Sequence, residues 1–358
     1  MLYFGRVEVH DPFLAFGARG RKYTLQSPLE FGRVKRTSEF DVILPLEKWR
    51  ERARARYGPA AAMPEIIATV VHAHGQRAFR IPDDFPAGLY TKLVKLGLRL
   101  ELAGGMLFPE REIKTPREAA AIREGNRLAT VGYVTAEKIL RAARIRGRTL
   151  RHGGEVLTSE RLRFAIETAI KEQGGDARDT IVAGGNQACD PHERGTGPLR
   201  PHDLIIIDIF PRVLKTGYFG DMTRTYLKGR PSDAQRKLCT TVRDAQRAAL
   251  RMIRAGVDGR NVHEIVNFVF TQAGYATTHG KNGSTGFFHG TGHGLGLAIH
   301  EPPRLSTVSY RLKAGSVVTV EPGLYYPGLG GCRWEDVAQV TAMAPRLLSR
   351  HPYDWEIR

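Results

Sequence analysis

Hydrophobic and polar positions change rhythm once along this chain of 358 residues, near residue 112. Before that point, short apolar runs alternate with turn residues: "LYFGRVEV", "FLAFGARGRKYTL", "FDVILPL" and "EIIATVVHAH". Their β-branched and aromatic residues predict short strands, with helices over "LEKWRERARARY" and "GLYTKLVKLG". Beyond it, longer helical patterns take over. "TPREAAAIREGNRLATVGYVTAEKIL" opens with Thr115 as N-cap, Pro116 at the first helical position and Glu118 completing a capping box. Ser232 with Gln235 predicts a second such start, for a helix ending near Gly256, and Asn261 with Glu264 a third. Between and after these helices lie the β-rich runs "DLIIIDIF", "DMTRTYL", "SVVTVEPGLYY" and "WEDVAQVT". The pattern predicts a mixed α/β (α+β) chain of two domains, 1–112 and 113–358.

Two pairs of the β runs carry acids where apolar residues are the rule. In "DLIIIDIFPRVLKTGYFGDMTRTYL" one strand ends near Asp208 and the next begins near Asp221. In "SVVTVEPGLYYPGLGGCRWEDVAQVT" Glu321 and Glu335 stand in matching places; the two spacings are 13 and 14 positions. Each segment predicts a hairpin with one carboxylate per strand, brought together as cross-strand neighbours. A single buried acid is ordinarily half of an ion pair. Four in two matched hairpins must either take up protons or meet a concentrated positive charge. Two divalent cations supply that charge, and a donor set rich in carboxylate and poor in sulfur favours Mn²⁺, with Co²⁺, Fe²⁺ or Zn²⁺ as alternatives.

A third element of chemistry is "HGTGHGLGLAIHEPP", which begins at His289. A helical zinc pair at His289 and His293 is excluded by Gly290, Gly292, Gly294 and Gly296. No G-K-[ST] follows, so it is not a phosphate loop. Alternate glycines fit an extended segment whose backbone passes close to metals or peptide. In a strand, His293 and His300 have odd spacing and face opposite ways unless a bulge intervenes, while His289 and His293 can face one way. Spacing alone therefore admits one or two of these histidines at the metals.

Composition adds limits. Hydrophobic residues make up 42%, no 18-residue apolar run exists, and "MLYFGRVEVH" lacks the plan of a signal peptide. Cys189, Cys239 and Cys332 show no C-x-x-C spacing, which fits reduced thiols in a cytoplasm. The net charge of +17 invites a nucleic-acid reading, and "RAARIRGRTLR" at 141–151 is a local basic cluster. No nucleic-acid motif accompanies it, so the expectation is an arginine-rich surface with neither a nucleic-acid nor a membrane partner.

Taken together, "IVAGGNQACDPH", "DIF…GYFGDMTRT", "HGTGHGLGLAIHEPP", "VEPGLYY" and "GCRWEDVAQVT" occur in an order that resembles the pita-bread metallopeptidases. The likeness is to their Xaa-Pro aminopeptidase and Xaa-Pro dipeptidase (prolidase) branch, and it covers residues 113 to 358. Residues 1–112 resemble a shortened form of the family's creatinase-like N-terminal domain. The resemblance implies five metal ligands: Asp208, Asp221, His293, Glu321 and Glu335, with Asp221 and Glu335 bridging two cations. It implies that His289 and His300 line the substrate site and stabilise the reacting carbonyl. His192 is then at the proline end, Arg333 supports a bridging carboxylate or the substrate's end, and Thr223 lies behind the ligands. The implied reaction is hydrolysis of an Xaa-Pro bond by a hydroxide shared between the metals, with Glu321 shuttling the proton. A cytoplasmic homodimer and a peptide with proline at its second position complete the implied picture. Two residues depart from the family pattern: Phe210, where glycine is usual after the first aspartate, and Asp190 before Pro191. Competing readings are an aminopeptidase of other specificity, such as a methionine aminopeptidase, and a non-catalytic peptide-binding member of the fold.

Overall fold

The computed structural model describes residues 2–281 and 283–358. Packing divides the chain into two compact units, Met1–Glu110 and Arg111–Arg358.

In the first unit α1 (Leu2–Gly5) precedes a hairpin of β1 (Leu14–Ala18) and β2 (Arg21–Gln26). Arg19 and Gly20 make its turn with φ of 50° and 73°. After α2 (Pro28–Thr37), β3 (Val42–Pro45) runs parallel to β2. Next come α3 (Leu46–Tyr57) and α4 (Met63–Ala73), then β4 (Ala78–Ile81), α5 (Ala87–Lys95) and β5 (Arg99–Leu102), with β5 parallel to β4. Two expectations fail in this unit. "LYFG" is helical rather than extended, and "EIIATVVHA" belongs to α4. The second miss has a clear cause. Pro64 stands in the first turn of the helix and the Ala62 N–H donates to Glu65 Oε2 at 2.9 Å. Ile66, Ile67, Ala68, Val70 and Val71 then all pack into the unit's core with Trp49 and Leu25. A fully buried run has no polar face to reveal its period, so β-branching misleads.

The second unit starts with α6 (Pro116–Ala142). Its capping box is as expected: the Thr115 N–H donates to Glu118 Oε2 at 2.9 Å, and the Glu118 N–H donates back to Thr115 Oγ1 at 3.3 Å. α7 (Ser159–Glu172) packs beside α6 against a sheet of β6 (Ile181–Gly184), β7 (Leu204–Ile209) and β8 (Met222–Lys228). α8 (Asp233–Met252) and α9 (Gly259–Gln272) cover a second sheet, in the order β10 (Glu301–Leu305), β9 (Gly292–Gly294), β11 (Val317–Val320), β14 (Asp336–Gln339). Between β11 and β14, β12 (Gly323–Tyr326) and β13 (Gly330–Arg333) form their own ribbon. α9 is capped by Asp258, not Asn261. The Asp258 carboxylate accepts the Arg260 N–H at 2.9 Å and the Tyr310 N–H at 3.0 Å, so a loop contact fixes the start earlier.

Neither acidic segment is a simple hairpin. Between β7 and β8 the chain leaves the sheet, where Arg212–Val213 pairs with Gly175–Asp176. Pro322, which has no N–H to donate, separates β11 from β12 and bends the second segment into two ribbons. The adjacency expected of the strands survives: β7 pairs with β8, and β11 with β14.

Candidate metal centre

Strand register brings the acids together. Asp208 lies opposite Thr223, and Asp221 precedes Thr223 by two residues, on the same face. Val320 lies opposite Asp336, so Glu321 and Glu335 leave their strands side by side. The Glu335 N–H donates to the Thr223 carbonyl at 3.2 Å, and Arg224 Nη1 donates to the Glu335 carbonyl at 2.7 Å. These bonds join the two sheets where the acids converge. Asp221 is placed from a third direction. Its N–H donates to Asn126 Oδ1 at 3.0 Å, and α6 can come that near because Gly125 and Gly220 lack side chains. A Cβ on Gly125 would stand 2.3 Å from the Gly220 nitrogen.

His293 enters on β9, whose register shifts between His293 and Gly294. Its N–H donates to Thr319 Oγ1 at 3.1 Å, and Nδ1 lies 3.1 Å from the Gly294 carbonyl. That bond requires the proton on Nδ1 and leaves the Nε2 lone pair free. Nε2 points at the acids, 3.6 Å from Asp221 Oδ2 and 3.3 Å from Glu321 Oε1. One donor atom each from Asp221, His293 and Glu335 lie within 4.8 Å of one another, and all three residues are buried. Glu335 Oε2 accepts the Thr223 hydroxyl at 2.8 Å. Asp208 Oδ2 accepts Arg333 Nη2 at 2.7 Å, while its buried Oδ1 has no partner.

The charges explain what such a cluster requires. Burial, then repulsion from Asp208 and Glu321, pushes Asp221 well above the ordinary carboxyl range. Burial, then Asp221 and Glu321, does the same to Glu335. Burial also raises Glu321 to about 7, with Arg333 opposing. One buried guanidinium thus faces four carboxylates. Burial lowers His293 to about 3, so its imidazole is neutral, as a metal ligand must be. The unpaired Asp208 Oδ1, the free His293 Nε2 and the excess of acids fit a pair of divalent cations.

The other expected site residues lie around this cluster. Arg333 is buried and engages four of its five N–H groups: besides the Asp208 bond, Nε reaches Thr223 Oγ1 at 3.2 Å, and Nη1 reaches Tyr325 Oη at 3.1 Å and the Pro191 carbonyl at 3.3 Å. It bonds the Asp208 carboxylate directly and reaches Glu335 through the Thr223 hydroxyl. His300 is exposed, lies edge-on to His293 with ring centroids 4.4 Å apart, and makes no hydrogen bond among the described residues. His192 is exposed and close enough to His289 and His300 to lower both pKa values. His289 is held by the protein at both ends of its ring. Its Nδ1 faces the Gly290 carbonyl at 2.7 Å and its Nε2 faces the Tyr325 hydroxyl at 2.8 Å, so both nitrogens are engaged.

Three further points refine the sequence reading. Two glycines of "HGTGHGLG" are required by strand packing: a Cβ on Gly292 would meet the Thr319 carbonyl oxygen at 2.0 Å, and one on Gly294 the Pro302 oxygen at 2.2 Å. Asp190 has a local task, since its Oδ1 accepts the His192 N–H at 3.1 Å. Asn126, Thr319 and Tyr325 hold ligands or their supports, and sequence reasoning missed them. Asn126 sits inside a helical pattern with no mark; Thr319, two residues before Glu321 and so on its face, offered the only periodic signal.

Comparison with known proteins follows from this geometry. The model of metallopeptidase family M24 matches residues 120–342. The Xaa-Pro dipeptidase of Pyrococcus furiosus is 34% identical over 189 residues, covering 52% of this chain and 51% of that protein. The Xaa-Pro dipeptidase of Pyrococcus horikoshii is 29% identical over 339 residues, covering 92% and 85%. The chain therefore spans about half the length of the first of these relatives and most of the second. Among solved structures, a dipeptidase from Pyrococcus horikoshii OT3 superposes with a TM-score of 0.79 at 28% identity, covering 100% of this chain and 93% of that one. An X-Pro aminopeptidase from Thermotoga maritima shares the fold, with a TM-score of 0.82 at 20% identity over 99% and 93%.

Proposed function

The chain belongs to metallopeptidase family M24, and on that premise we propose that it is a dinuclear metal-dependent exopeptidase. Its proposed substrates carry proline second, either as Xaa-Pro dipeptides or at the N-terminus of longer peptides. One observation carries the reading: three buried carboxylates, the half-buried Glu321 and a neutral imidazole converge around one buried guanidinium. The Xaa-Pro relatives supply the substrate class.

Asp208, Asp221, His293, Glu321 and Glu335 are the proposed ligands, and a carboxylate-rich set without sulfur favours Mn²⁺. Bound there, the cations would supply a Lewis acid for the substrate carbonyl and an acidified water as nucleophile. The chain's own groups do the rest. Glu321, raised to about 7, can hold the proton of the nucleophile and deliver it to the departing proline nitrogen. His300, exposed and with no hydrogen bond among the described residues, is the donor to the oxygen that becomes anionic. His289 acts behind it, through the hydroxyl of Tyr325, which Arg333 also holds. His192 borders the proline end. The substrate's free ammonium is drawn to the acids, which accounts for exopeptidase action.

The reading extends to residues 1–112 as a shortened creatinase-like domain, supported by structural likeness over the whole chain, and to a cytoplasmic homodimer. The cysteines are free, and no described helix is long and apolar enough to cross a membrane. The test is turnover of Ala-Pro, Ala-Pro-Ala and Ala-Ala by the Mn²⁺-loaded protein. Hydrolysis of the proline peptides alone is expected, lost with bound metal in Asp208→Ala and Glu335→Ala. Equal rates on Ala-Ala would instead favour an aminopeptidase of other specificity, and no turnover of any peptide a binding role.

A further inference from the structure

β7 has a second acid at its far end. Asp203 stands just before the strand and Asp208 near its close, about 17 Å apart at roughly 3.3 Å per residue. Asp203 lines a cavity of about 530 Å³ with Ser159, Asn186, Gln187, Arg200 and Gly328. A chain with 54 basic and 37 acidic residues offers every half-buried carboxylate a choice of cations. Asp203 takes none. Among the described residues no hydrogen bond or ion pair reaches its carboxylate, and Arg200 and His202 attract it only at longer range. Burial accordingly raises its carboxyl above the ordinary range.

The cavity holds a second unpaired group. Ser159 is 1% exposed, and its hydroxyl oxygen has no hydrogen-bond partner among the described residues. Buried hydroxyls are almost always bonded, so an orphan beside a cavity points to something that enters it. The amides are committed elsewhere: Asn186 Oδ1 accepts the Gly328 N–H at 2.7 Å, and Gln187 exchanges bonds with Thr196 at 2.9 and 3.1 Å. The groups left free are one anion, one buried hydroxyl and the exposed Arg200 guanidinium.

We propose that this cavity binds a free α-amino acid, with Asp203 and Ser159 taking the ammonium and Arg200 the carboxylate. The volume is in the range of small-molecule sites, roughly 300–1,000 Å³. Guanidinium is the side chain best shaped for a carboxylate. Choosing amino acids among zwitterions rests on the exopeptidase reading, which makes them the products. The cavity is also tied to the metal centre. Gly184–Gln187 leads on to Pro191, whose carbonyl accepts Arg333 Nη1, and Gly328–Gly330 leads into β13, which carries Arg333.

The test is calorimetric titration of the full chain with L-alanine, L-alaninamide and N-acetyl-L-alanine, beside an Ala-Pro turnover assay. Asp203→Asn keeps the shape and removes the charge; Ser159→Ala removes the orphan hydroxyl. Both variants should retain basal turnover, and Asp203→Asn should weaken L-alanine binding at least about tenfold. N-acetyl-L-alanine should not saturate either protein, and alaninamide should bind more weakly than L-alanine. Equal L-alanine affinity in wild type and Asp203→Asn overturns the proposal, as does absence of saturable binding to wild type. Tight binding of N-acetyl-L-alanine removes the ammonium contact, and equal binding of alaninamide removes the carboxylate contact; either overturns it too. Failure to cleave Ala-Pro would refute the exopeptidase reading while leaving the binding comparison intact.

Discussion

Without divalent cations, the acids of the site should cost the protein more stability as pH rises, against the usual trend for acids in ion pairs. Burial and mutual repulsion raise Asp221 and Glu335 well above the ordinary range and move Glu321 from 4.5 to about 7. Between the unfolded and folded values, the folded state holds protons that the unfolded chain has released. Stability therefore falls with rising pH across that window, because the state binding more protons is disfavoured as protons become scarce. For Glu321 alone the rise corresponds to about 3 kcal/mol, at roughly 1.4 kcal/mol per pKa unit. That contribution is intact below pH 4.5, declines through the window and is gone above about 7. Asp221 and Glu335 continue the loss in the same direction at higher pH. His293, lowered from 6.5 to about 3, contributes with the opposite sign below about 6.5, but its imidazole is neutral with or without metal, so it drops out of the difference between the two states.

Bound cations take the place of those protons, so the metal-loaded protein escapes the penalty. The measurement is urea unfolding of metal-free and Mn²⁺-loaded protein at fixed free metal, from about pH 5 to about pH 8. Taking the difference cancels every titrating group remote from the site. The stabilisation by Mn²⁺ should grow by about 3 kcal/mol or more across the range. A metal increment that stays flat with pH would refute the reasoning, since the carboxylates would then not share a dry, uncompensated site.

Thr223→Val preserves shape and removes the hydroxyl between Glu335 and Arg333, so Mn²⁺ affinity should fall about 10- to 100-fold; unchanged affinity by calorimetry would show the bridge idle. Gly125→Ala forces a Cβ against the Gly220 backbone and should destabilise the fold by about 1–3 kcal/mol in thermal unfolding, and neutrality would mean that α6 can withdraw at little cost. His300→Ala should lower kcat by about 10²–10³ with metal content intact; a loss of metal instead would make it a ligand rather than a donor.

The four acids were legible because they violate strand composition: an aspartate after "LIII" has no reason to be there unless something charged meets it. Their grouping was legible too, since strand adjacency follows from apolar runs on either side of a turn. The path between the strands was not. Nothing in "PRVLKTGYFG" marks the excursion that pairs with Gly175–Asp176, because that contact is with a distant turn. The position of Asp221 was likewise hidden. It depends on Asn126 in the middle of a regular helical pattern and on two facing glycines 95 residues apart, Gly125 and Gly220. "HGTGHGLG" was half legible. Strand period placed His293 and His300 on opposite faces, and the register shift after His293 with the irregular segment up to His300 removed that separation.

Glu335 and Asp336 show what separates an acid the protein leaves undersupplied from one it satisfies. They are adjacent and equally buried, and alternation along the strand turns them to opposite faces. Asp336 is completely supplied by the protein. Its Oδ1 accepts Arg224 at 3.1 Å and Ser349 at 2.8 Å, and its Oδ2 accepts Gln246 at 3.0 Å and the Tyr353 hydroxyl. Glu335 faces Asp221 and His293 with one hydroxyl for support, and across the cluster Asp208 has an oxygen with no hydrogen-bond partner among the described residues. Composition could not distinguish the two neighbours, since either would count as an acid in an apolar strand. Register does: a slip of one residue between β11 and β14 would turn Asp336 toward the cluster and Glu335 into a network built for a shorter side chain. The arginine of that network, Arg224, also holds the Glu335 carbonyl at 2.7 Å and the His351 carbonyl at 2.9 Å. The fully bonded face thus fixes the register on which the electrostatically deficient face depends.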